Sequence, residues 1–412
     1  MRILHAVHSA NPAGGGVIEA INQLSRVHRQ HGHVAEIVSL DAPDAAWLGD
    51  TPLPVRALGP GLSSYGYAPK FASWLLENRG SYDVVVVNGL WQYVGFAVRR
   101  KLFGTGTPYV VFPHGMLDPW FKHTYPLKHV KKAFYWPMGE YRVLRDARAV
   151  IFTSDEERRL ARQSFRPYRC REAVSHLGTA VRSGDAMRQR AAFHSSIAGI
   201  EGKLLFLFLG RIHEKKGCDL LIRAFAKART ECGQDGEQLH LVMAGPCASL
   251  SYLSSLKAMA AGLFSNEAPP ISWAGMLAGD VKWGAYHAAE VFLLPSHQEN
   301  FGISVVEALS CKLPVLISNK VNIWREIQED GAGFVEEDSL DGTVNLMRRW
   351  LAIDADSRDV MRASALRCFL SRFEIERAAG HLIELLEKAG CSGAASAGFA
   401  PAASPNAIHG KG

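Results

Sequence analysis

Short apolar runs alternate with longer segments of helical periodicity, twice along the chain, and this alternation constrains the fold most. The runs are rich in Val and Ile and nearly unbroken, which is typical of strands buried on both faces. The runs are Ile3–Val7, Val34–Leu40, Val84–Asn88, Tyr109–Phe112 and Val150–Thr153 in the first half, and Leu204–Leu209, Leu241–Ala244, Ile271–Trp273, Val291–Pro295 and Val315–Ile317 in the second. Amphipathic segments such as Ile18–Gln30 and Asp219–Ala228 lie between them. We therefore expect an α/β fold with two parallel sheets and crossover helices.

The 412 residues suffice for two or three domains. The polar stretch from Val181 to Gly202 shows no strand pattern and favours a boundary there. We predict a first Rossmann-like domain over residues 1–182 and a second over residues 200–371. Residues 372–390 are predicted to form an amphipathic helix that packs back on the first domain. Residues 391–412, which are rich in Ala, Ser and Gly, are predicted to be disordered.

Several classes of protein are disfavoured by the sequence. No apolar run reaches the roughly 20 residues of a membrane span, and the N-terminal MRILHAVHSA is typical of a strand, not of a signal peptide. The seven cysteines include no Cys-x-x-Cys pair, which favours reduced thiols in a cytoplasmic protein. No zinc-ligand spacing and no P-loop motif occur. Asp354 and Asp356 have the spacing of a metal-binding Asp-x-Asp, but their polar helical surroundings indicate a structural role.

Positive charge is concentrated in the first half. Residues 1–182 hold 23 Lys and Arg against 14 Asp and Glu, a balance of +9, and residues 183–412 hold 23 against 26, a balance of −3. Segment Trp120–Arg145 interleaves aromatic residues with the lysines Lys122, Lys128, Lys131 and Lys132. This pattern suits an anionic membrane or a phosphorylated acceptor, and a merely solvated basic surface is the alternative. No RNA-binding module accompanies it, so nucleic acid is not expected.

A first candidate site follows the strand Leu204–Leu209, where the sequence GRIHEKKG leads into a helix. Ligands of open parallel sheets bind at this carboxyl edge. Arg211 and Lys216 lie in the loop, and two cations beside a helix N-terminus favour a diphosphate. Two solvated loop cations are the alternative interpretation.

A second candidate site follows the strand Val291–Pro295. Glu299 lies in the loop, Gly302 precedes the next helix, and Glu307 lies about a turn and a half into that helix. Carboxylates bind vicinal hydroxyls, as in dinucleotide sites, and Gly302 permits close approach of a phosphate to the amides of Phe301, Gly302 and Ile303. A diphosphate site and a hydroxyl site on one sheet edge together describe a nucleotide sugar.

With these motifs in this order, residues 1 to about 390 resemble the family 4 retaining glycosyltransferases of the GT-B architecture. The resemblance rests on Arg211 and Lys216 between Gly210 and Gly217, on the pair Glu299 and Glu307, on the first-domain motifs Gly14–Gly16 and His114-Gly115, and on Asp330, Gly331 and Gly333. It implies two Rossmann-like domains facing each other across a donor cleft.

The same resemblance implies a role for each site residue. Arg211 and Lys216 would neutralise the donor diphosphate, Glu307 would bind the ribose, and Glu299 would hold the transferred sugar, helped by the amides of Phe301 to Ile303. His114 would lie near the sugar and acceptor, and Gly14, Gly15 and Gly16 would give backbone access to the donor phosphate or the acceptor. Catalytic function would therefore rest on Glu299, His114, Arg211 and Lys216. A tight turn at Gly14–Gly16 and a wall residue at His114 are the alternatives.

The function implied is transfer of a hexose from a UDP- or GDP-sugar to a hydroxyl of a glycan or lipid-linked acceptor, with retention and without metal or other cofactor. Cell-surface polysaccharide or lipopolysaccharide assembly is the expected setting, in the cytoplasm or at the inner face of its membrane. A nucleotide-sugar epimerase, a glycan phosphorylase and a non-catalytic partner subunit on the same fold remain alternatives.

Overall fold

The structure, a computed structural model, describes residues 1–12, 16–181, 184–264, 268–390 and 400–401 of the chain. These residues form two compact units. The first unit is Met1–Ala180 together with the described residues from Ile375 onward, and the second unit is Val181–Glu374. Each unit contains one sheet.

The first unit is built on an eight-stranded sheet of order β14-β7-β6-β5-β4-β1-β2-β3. Strands β1 to β7 pair in parallel, and β14 is antiparallel to β7. The strands are β1 (Arg2–Ala6), β2 (Val34–Ser39), β3 (Val55–Ala57), β4 (Val84–Asn88), β5 (Tyr109–Phe112), β6 (Ala149–Phe152), β7 (Arg171–Val174) and β14 (Ala400–Pro401). The helices are α1 (Gly16–Gln30), α2 (Pro69–Asn78), α3 (Tyr93–Leu102), α4 (Trp120–Thr124), α5 (Pro126–Tyr135), α6 (Glu140–Asp146), α7 (Asp155–Ala161) and α16 (Ile375–Gly390).

Strand β4 shows why the apolar runs are unbroken. Its valines are fully buried and alternate between two hydrophobic cores, one on each face of the sheet. Val85 and Val87 belong to the core under α2 and α3, whereas Val84 and Val86 belong to the core under α1 and α16. A strand covered on both faces has no position at which a polar side chain reaches water.

Helix α16 closes the first unit. The helix predicted over residues 372–390 begins at Ile375 and ends at Gly390. Its apolar face, which includes Leu382 and Leu386, shares a core with Ile21 and Leu24 of α1. His28 of α1 also contacts the carbonyl oxygen of Ala379 through its Nε2, at 3.0 Å.

The second unit has a six-stranded parallel sheet of order β10-β9-β8-β11-β12-β13. The strands are β8 (Leu204–Leu209), β9 (Leu239–Ala244), β10 (Ile271–Gly275), β11 (Val291–Leu294), β12 (Val315–Ser318) and β13 (Gly333–Glu336). The helices are α8 (Ala186–Ser196), α9 (Cys218–Glu231), α10 (Leu250–Leu263), α11 (Gly279–Ala288), α12 (Ile303–Ser310), α13 (Trp324–Glu329), α14 (Leu340–Ala352) and α15 (Ala355–Cys368). The expected pair of parallel α/β sheets is confirmed.

Helix α8 follows the point where the chain enters the second unit. It lies within the polar stretch Val181–Gly202, which the sequence suggested as the boundary, and it belongs to the second unit. Gly284 of α11 allows its close packing, because a Cβ there would lie 1.9 Å from the carbonyl oxygen of Gln189. The chain therefore passes from one unit to the other before α8, at Ala180–Val181.

The strands that the sequence did not predict are short and lie at or beside the sheet edges. Strand β3 has three residues, and β7 and β13 carry charged residues. Edge strands are partly exposed, so their sequences lack the unbroken apolar pattern of central strands.

Within the described residues, no helix combines the length and the apolar character required to cross a bilayer. The six described cysteines are unpaired. Cys391 and most of the predicted disordered tail, residues 391–399 and 402–412, lie outside the described residues.

Candidate active site

The candidate site of the second unit lies at the carboxyl edge of two neighbouring strands. Strands β8 and β11 are adjacent and parallel, and they end at Leu209 and Leu294. The loop with Arg211 and Lys216 and the loop with Glu299 therefore leave the sheet side by side. This edge is where open parallel sheets bind their ligands.

The two loops are in direct contact at Gly217. This residue has a φ of 64°, and a Cβ there would lie 2.1 Å from the carbonyl oxygen of Pro295. The amide of His297 donates to the carbonyl oxygen of Lys215 at 2.9 Å. Only glycine combines this left-handed backbone with such a close approach, so Gly217 fixes where the lysine before it is presented.

Lys216 forms an ion pair with Glu299, and both side chains are largely buried, with 16% and 19% of their surfaces exposed. Burial, followed by the positive charges of Lys215 and Arg211, lowers the pKa of Lys216 to about 7. The contact with Glu299 acts the other way, because it favours the ammonium form. Arg211 is exposed at the start of the same loop. The edge thus concentrates cations around one carboxylate.

Helix α12 begins directly beside Glu299. Its N-cap, Gly302, has a φ of 76°, makes no side-chain capping hydrogen bond, and would place a Cβ 3.4 Å from Cγ of Glu299. Phe301 is buried against Phe373, with ring centroids 5.7 Å apart. The first amides of a helix, here from Gly302 and Ile303, have no intrahelical acceptor and carry the positive end of the helix dipole. They can therefore bind an anion.

Glu307 lies in α12 and is only 7% exposed. Its Oε2 accepts a hydrogen bond from the hydroxyl of Tyr286 at 2.9 Å, and its Oε1 lies 2.6 Å from Nζ of Lys282. Burial and the charge of Glu307 raise the pKa of Tyr286, so its hydroxyl stays protonated and donates. The carboxylate is therefore held in one orientation, with some of its lone pairs left to accept from a ligand.

Sequence analysis missed Lys282 and Tyr286. Both lie on α11, four residues apart, so they share one helix face. Their spacing of four residues, just before a buried strand, was the available signal in the sequence. It did not indicate a contact with Glu307, which comes later in the chain.

His114 lies in the first unit, in the loop after β5. It has a φ of 50°, which is rare for a residue other than glycine. Its Nε2 is 3.1 Å from Oδ1 of Asn88, and its ring stacks on Phe112. Burial lowers the pKa of His114 to about 4, so the imidazole is neutral near pH 7 and can donate or accept one proton. The amide of Gly115 donates to Oε1 of Glu157 at 2.6 Å, which anchors the turn.

Other predicted positions have different outcomes. Gly14 and Gly15 lie outside the described residues, whereas Gly16 begins α1. Asp354 caps α15 by accepting from the amide of Ser357 at 2.8 Å, which confirms its structural role. Asp330 holds both Nε and an Nη of Arg372 at 2.8 Å.

The lysine-rich segment forms α4 and α5. Lys122, Lys128 and Lys131 are exposed. Lys132 requires a correction, because its side chain is half-buried and its Nζ lies 4.4 Å from the centre of the Trp91 ring. Its aromatic neighbours hold it inward, so it does not belong to the cationic surface.

Models of two known families match the chain. The model described as "Glycosyl transferase 4-like domain" matches residues 15–176, and the model described as "Glycosyl transferases group 1" matches residues 190–367. The first matched region includes strands β2 to β7, and the second includes strands β8 to β13.

Proteins with related sequences are glycosyltransferases. A GDP-mannose:cellobiosyl-diphosphopolyprenol alpha-mannosyltransferase from Xanthomonas oryzae pv. oryzae is 26% identical over 395 residues, which are 93% of this chain and 96% of that protein. A D-inositol 3-phosphate glycosyltransferase from Geodermatophilus obscurus is 30% identical over 218 residues, which are 48% of this chain and 44% of that protein.

Solved structures share the fold. Anabaena HepE in complex with UDP and glucose has a TM-score of 0.72 at 18% identity, covering 94% of this chain and 100% of that one. WaaG, a glycosyltransferase involved in lipopolysaccharide biosynthesis, has a TM-score of 0.65 at 15% identity, covering 93% and 99%. The fold is thus that of the GT-B proteins, as the sequence resemblance implied. Within that class, the chain belongs to the glycosyl transferases group 1 family.

Proposed function

We propose that this protein is a retaining glycosyltransferase that moves a hexose from a nucleoside-diphosphate sugar to a hydroxyl of a glycan or lipid-linked acceptor. The observation that carries the proposal is the contact of Lys216 with Glu299, in loops that leave adjacent strands beside the start of α12. One cation and one carboxylate at the same edge match the two ends of a sugar diphosphate.

The diphosphate is assigned to the cationic part of the edge. Arg211 and Lys216 supply charge, and the amides of Phe301, Gly302 and Ile303 supply donors at the positive end of α12. In the free protein Lys216 pairs with Glu299. We expect an incoming diphosphate to take over Lys216, which leaves Glu299 free to accept from a sugar hydroxyl.

The ribose is assigned to Glu307. Its carboxylate already accepts from Tyr286 and lies against Lys282, and a carboxylate has about four acceptor positions. Two positions remain for vicinal hydroxyls. Tyr286 and Lys282 hold the carboxylate in one orientation, so a donor does not have to order it on binding.

The proposed transfer is a front-face displacement. The acceptor oxygen bonds to the anomeric carbon as the bond from that carbon to the phosphate oxygen breaks, and the leaving diphosphate takes the electron pair. The acceptor proton passes to the same phosphate. Because the acceptor attacks the face of the sugar from which the diphosphate leaves, the configuration is retained. Arg211, Lys216 and the α12 amides stabilise the charge that develops on the diphosphate. The proposed step therefore requires no metal ion. Neutral His114 is assigned to the acceptor as a hydrogen-bond partner, and the Gly14–Gly16 loop to backbone contacts with phosphate or acceptor.

The comparisons support the chemical class of both substrates. The Xanthomonas relative is named for GDP-mannose and a diphosphopolyprenol-linked acceptor, and the HepE structure contains UDP. Carried to this chain, they favour a UDP- or GDP-sugar donor and an acceptor carried on a lipid diphosphate. Assembly of a surface polysaccharide or lipopolysaccharide at the cytoplasmic face of the membrane is the proposed setting.

Product analysis with UDP-glucose or GDP-mannose tests the proposal. We expect turnover only when a glycosyl-diphosphopolyprenol acceptor is added, and product with the donor's anomeric configuration. An epimerised sugar from donor alone would indicate the epimerase, and a requirement for inorganic phosphate would indicate the phosphorylase. Donor binding without product for any acceptor in a panel would favour the non-catalytic subunit.

A further inference from the structure

Helix α5 exposes its apolar side chains. Leu127, Val130 and Phe134 are 86%, 52% and 77% exposed, and Met138, in the turn that follows, is 66% exposed. Their spacing of three, four and four residues places them on one face, in a continuous stripe. We call these four residues the α5 stripe.

The inward face of α5 carries the polar side chains. Lys132 lies over the ring of Trp91, and the ring of His129 stacks on Phe165 with centroids 4.5 Å apart. A surface helix of a globular protein ordinarily turns its apolar face inward and its charged face outward. Helix α5 instead turns Leu127, Val130 and Phe134 outward, which indicates that its outer face is covered by something other than water.

The charge around the stripe indicates what covers it. Between Asp118 and Glu140 the chain has four lysines and no acidic residue. Lys131 lies next to Leu127 on the helix surface, because four residues advance the helix about 40° past a full turn. Lys122 and Lys128 are also exposed. An apolar stripe beside exposed lysines is complementary to an anionic lipid surface, where acyl chains lie beneath negative headgroups.

A second copy of the chain fits this surface poorly. Two α5 faces brought together would place lysines against lysines, with no acid in this segment to pair with them. An acidic protein partner would match the lysines, and it is an outcome of the test below.

We infer that α5 lies in the plane of an anionic membrane, with the α5 stripe inserted among the acyl chains and Lys122, Lys128 and Lys131 at the headgroups. This inference deepens the proposed function, because it places the chain where a lipid-linked acceptor would be. It rests on the exposure and charge of α5, so it stands or falls separately from the donor site.

Sedimentation of the full chain with lipid vesicles tests the inference. We expect binding to vesicles of equal parts phosphatidylcholine and phosphatidylglycerol, and much weaker binding to phosphatidylcholine alone. Leu127→Ser with Phe134→Ser should weaken binding at least about tenfold, since both side chains would lose burial. Lys128→Gln with Lys131→Gln should remove most of the preference for phosphatidylglycerol.

A matched control uses apolar residues of equal exposure on the second unit. Leu250 and Met276 are 75% and 71% exposed, and Leu250→Ser with Met276→Ser should leave vesicle binding unchanged. The α5 variants should keep the wild-type circular dichroism spectrum and the same thermal shift with UDP or GDP, because their changed side chains are exposed and belong to the first unit, whereas the donor loops belong to the second.

Four results would overturn the inference. The wild-type protein could stay in the supernatant with phosphatidylglycerol vesicles, or the serine variants could bind them as well as the wild type does. A dimer in sedimentation velocity that Leu127→Ser with Phe134→Ser dissociates would assign the stripe to self-association. Stoichiometric capture of an acidic protein in place of vesicles would assign it to that partner.

Discussion

Lys216 and Glu299 are in contact although they belong to different loops, because the strands that precede them, β8 and β11, are neighbours in the sheet. Their opposite charges compensate each other, and both side chains are largely buried. Replacing one of them by a neutral residue would leave the charge of the other unpaired, in a place that water reaches poorly. A bound sugar diphosphate would provide the two side chains with new partners.

Coupling between these two residues is the first prediction. Lys216→Met and Glu299→Gln should each lower kcat/KM by about 2–4 kcal/mol of barrier, judged by the loss of one charge-stabilising donor. The double variant should lose less than the sum, since each single change already disables the other residue. Steady-state kinetics on the four proteins measures the coupling. Losses that add to within about 0.5 kcal/mol would mean that the two side chains act separately.

Gly217 should be irreplaceable for steric reasons. Gly217→Ala must push the Pro295 loop away, since a Cβ would lie 2.1 Å from the carbonyl oxygen. We expect a loss of stability beyond the roughly 1–2 kcal/mol of left-handed strain, together with weaker donor binding. Gly202→Ala is the control, because Gly202 has a φ of 69° and open space around its Cβ position. Thermal unfolding and nucleotide titration compare the two. Equal effects at both positions would show that the contact between the loops contributes neither to stability nor to donor binding.

Tyr286 should act on the donor through Glu307. Tyr286→Phe removes the hydroxyl that donates to the carboxylate and should raise the KM for donor severalfold to about tenfold, with kcat changed less. Tyr252→Phe is a matched control in the same unit, because the Tyr252 hydroxyl has no hydrogen-bond partner among the described residues. Steady-state kinetics with varied donor separates KM from kcat. An unchanged KM in Tyr286→Phe would remove Glu307 from the donor site.

The sequence predicts those features whose pattern lies within one short segment, and it does not predict contacts between distant segments. Val84–Asn88 and Leu204–Leu209 were predicted with their observed bounds, because strands buried on both faces are apolar at every position. The edge strand Val55–Ala57 and the polar helix Ala186–Ser196 were missed, since neither has a one-sided or unbroken apolar pattern. The position of Arg211, Lys216 and Glu299 at one sheet edge was predictable because each motif directly follows the end of a strand. The inward position of Lys132 on α5 depends on Trp91, in the loop after β4, and no spacing along the chain reveals it.

Stability of the first unit should depend on pH through Glu140. This residue is fully buried, accepts from the amide of Trp91 at 2.8 Å, and has an Oε2 with no hydrogen-bond partner among the described residues. Burial raises the pKa of Glu140 from 4.5 to about 7. The folded protein therefore binds more protons than the unfolded chain between these values, and its stability falls as pH rises from about 4.5 to 7, by at most about 3 kcal/mol.

Glu140→Gln should remove this dependence, because the amide keeps an acceptor for Trp91 and carries no charge. Urea unfolding of the first unit at several pH values gives the difference between wild type and variant, in which the other titrating groups cancel. The variant should gain relative stability as pH rises to about 7. Two curves that stay parallel across this range would show that Glu140 is ionised in the folded protein at low pH.

Calorimetric titration with UDP, GDP and ADP tests the central claim most directly, because it needs neither acceptor nor turnover. We predict that the wild type binds at least one of the three, and that Arg211→Ala and Lys216→Ala each weaken binding roughly ten- to hundredfold, as the loss of a charged hydrogen bond implies. Arg223→Ala and Lys227→Ala, which change exposed cations on α9, should bind as the wild type does. No binding of any of the three, or equal affinities in all four variants, would contradict a nucleotide diphosphate site at this edge.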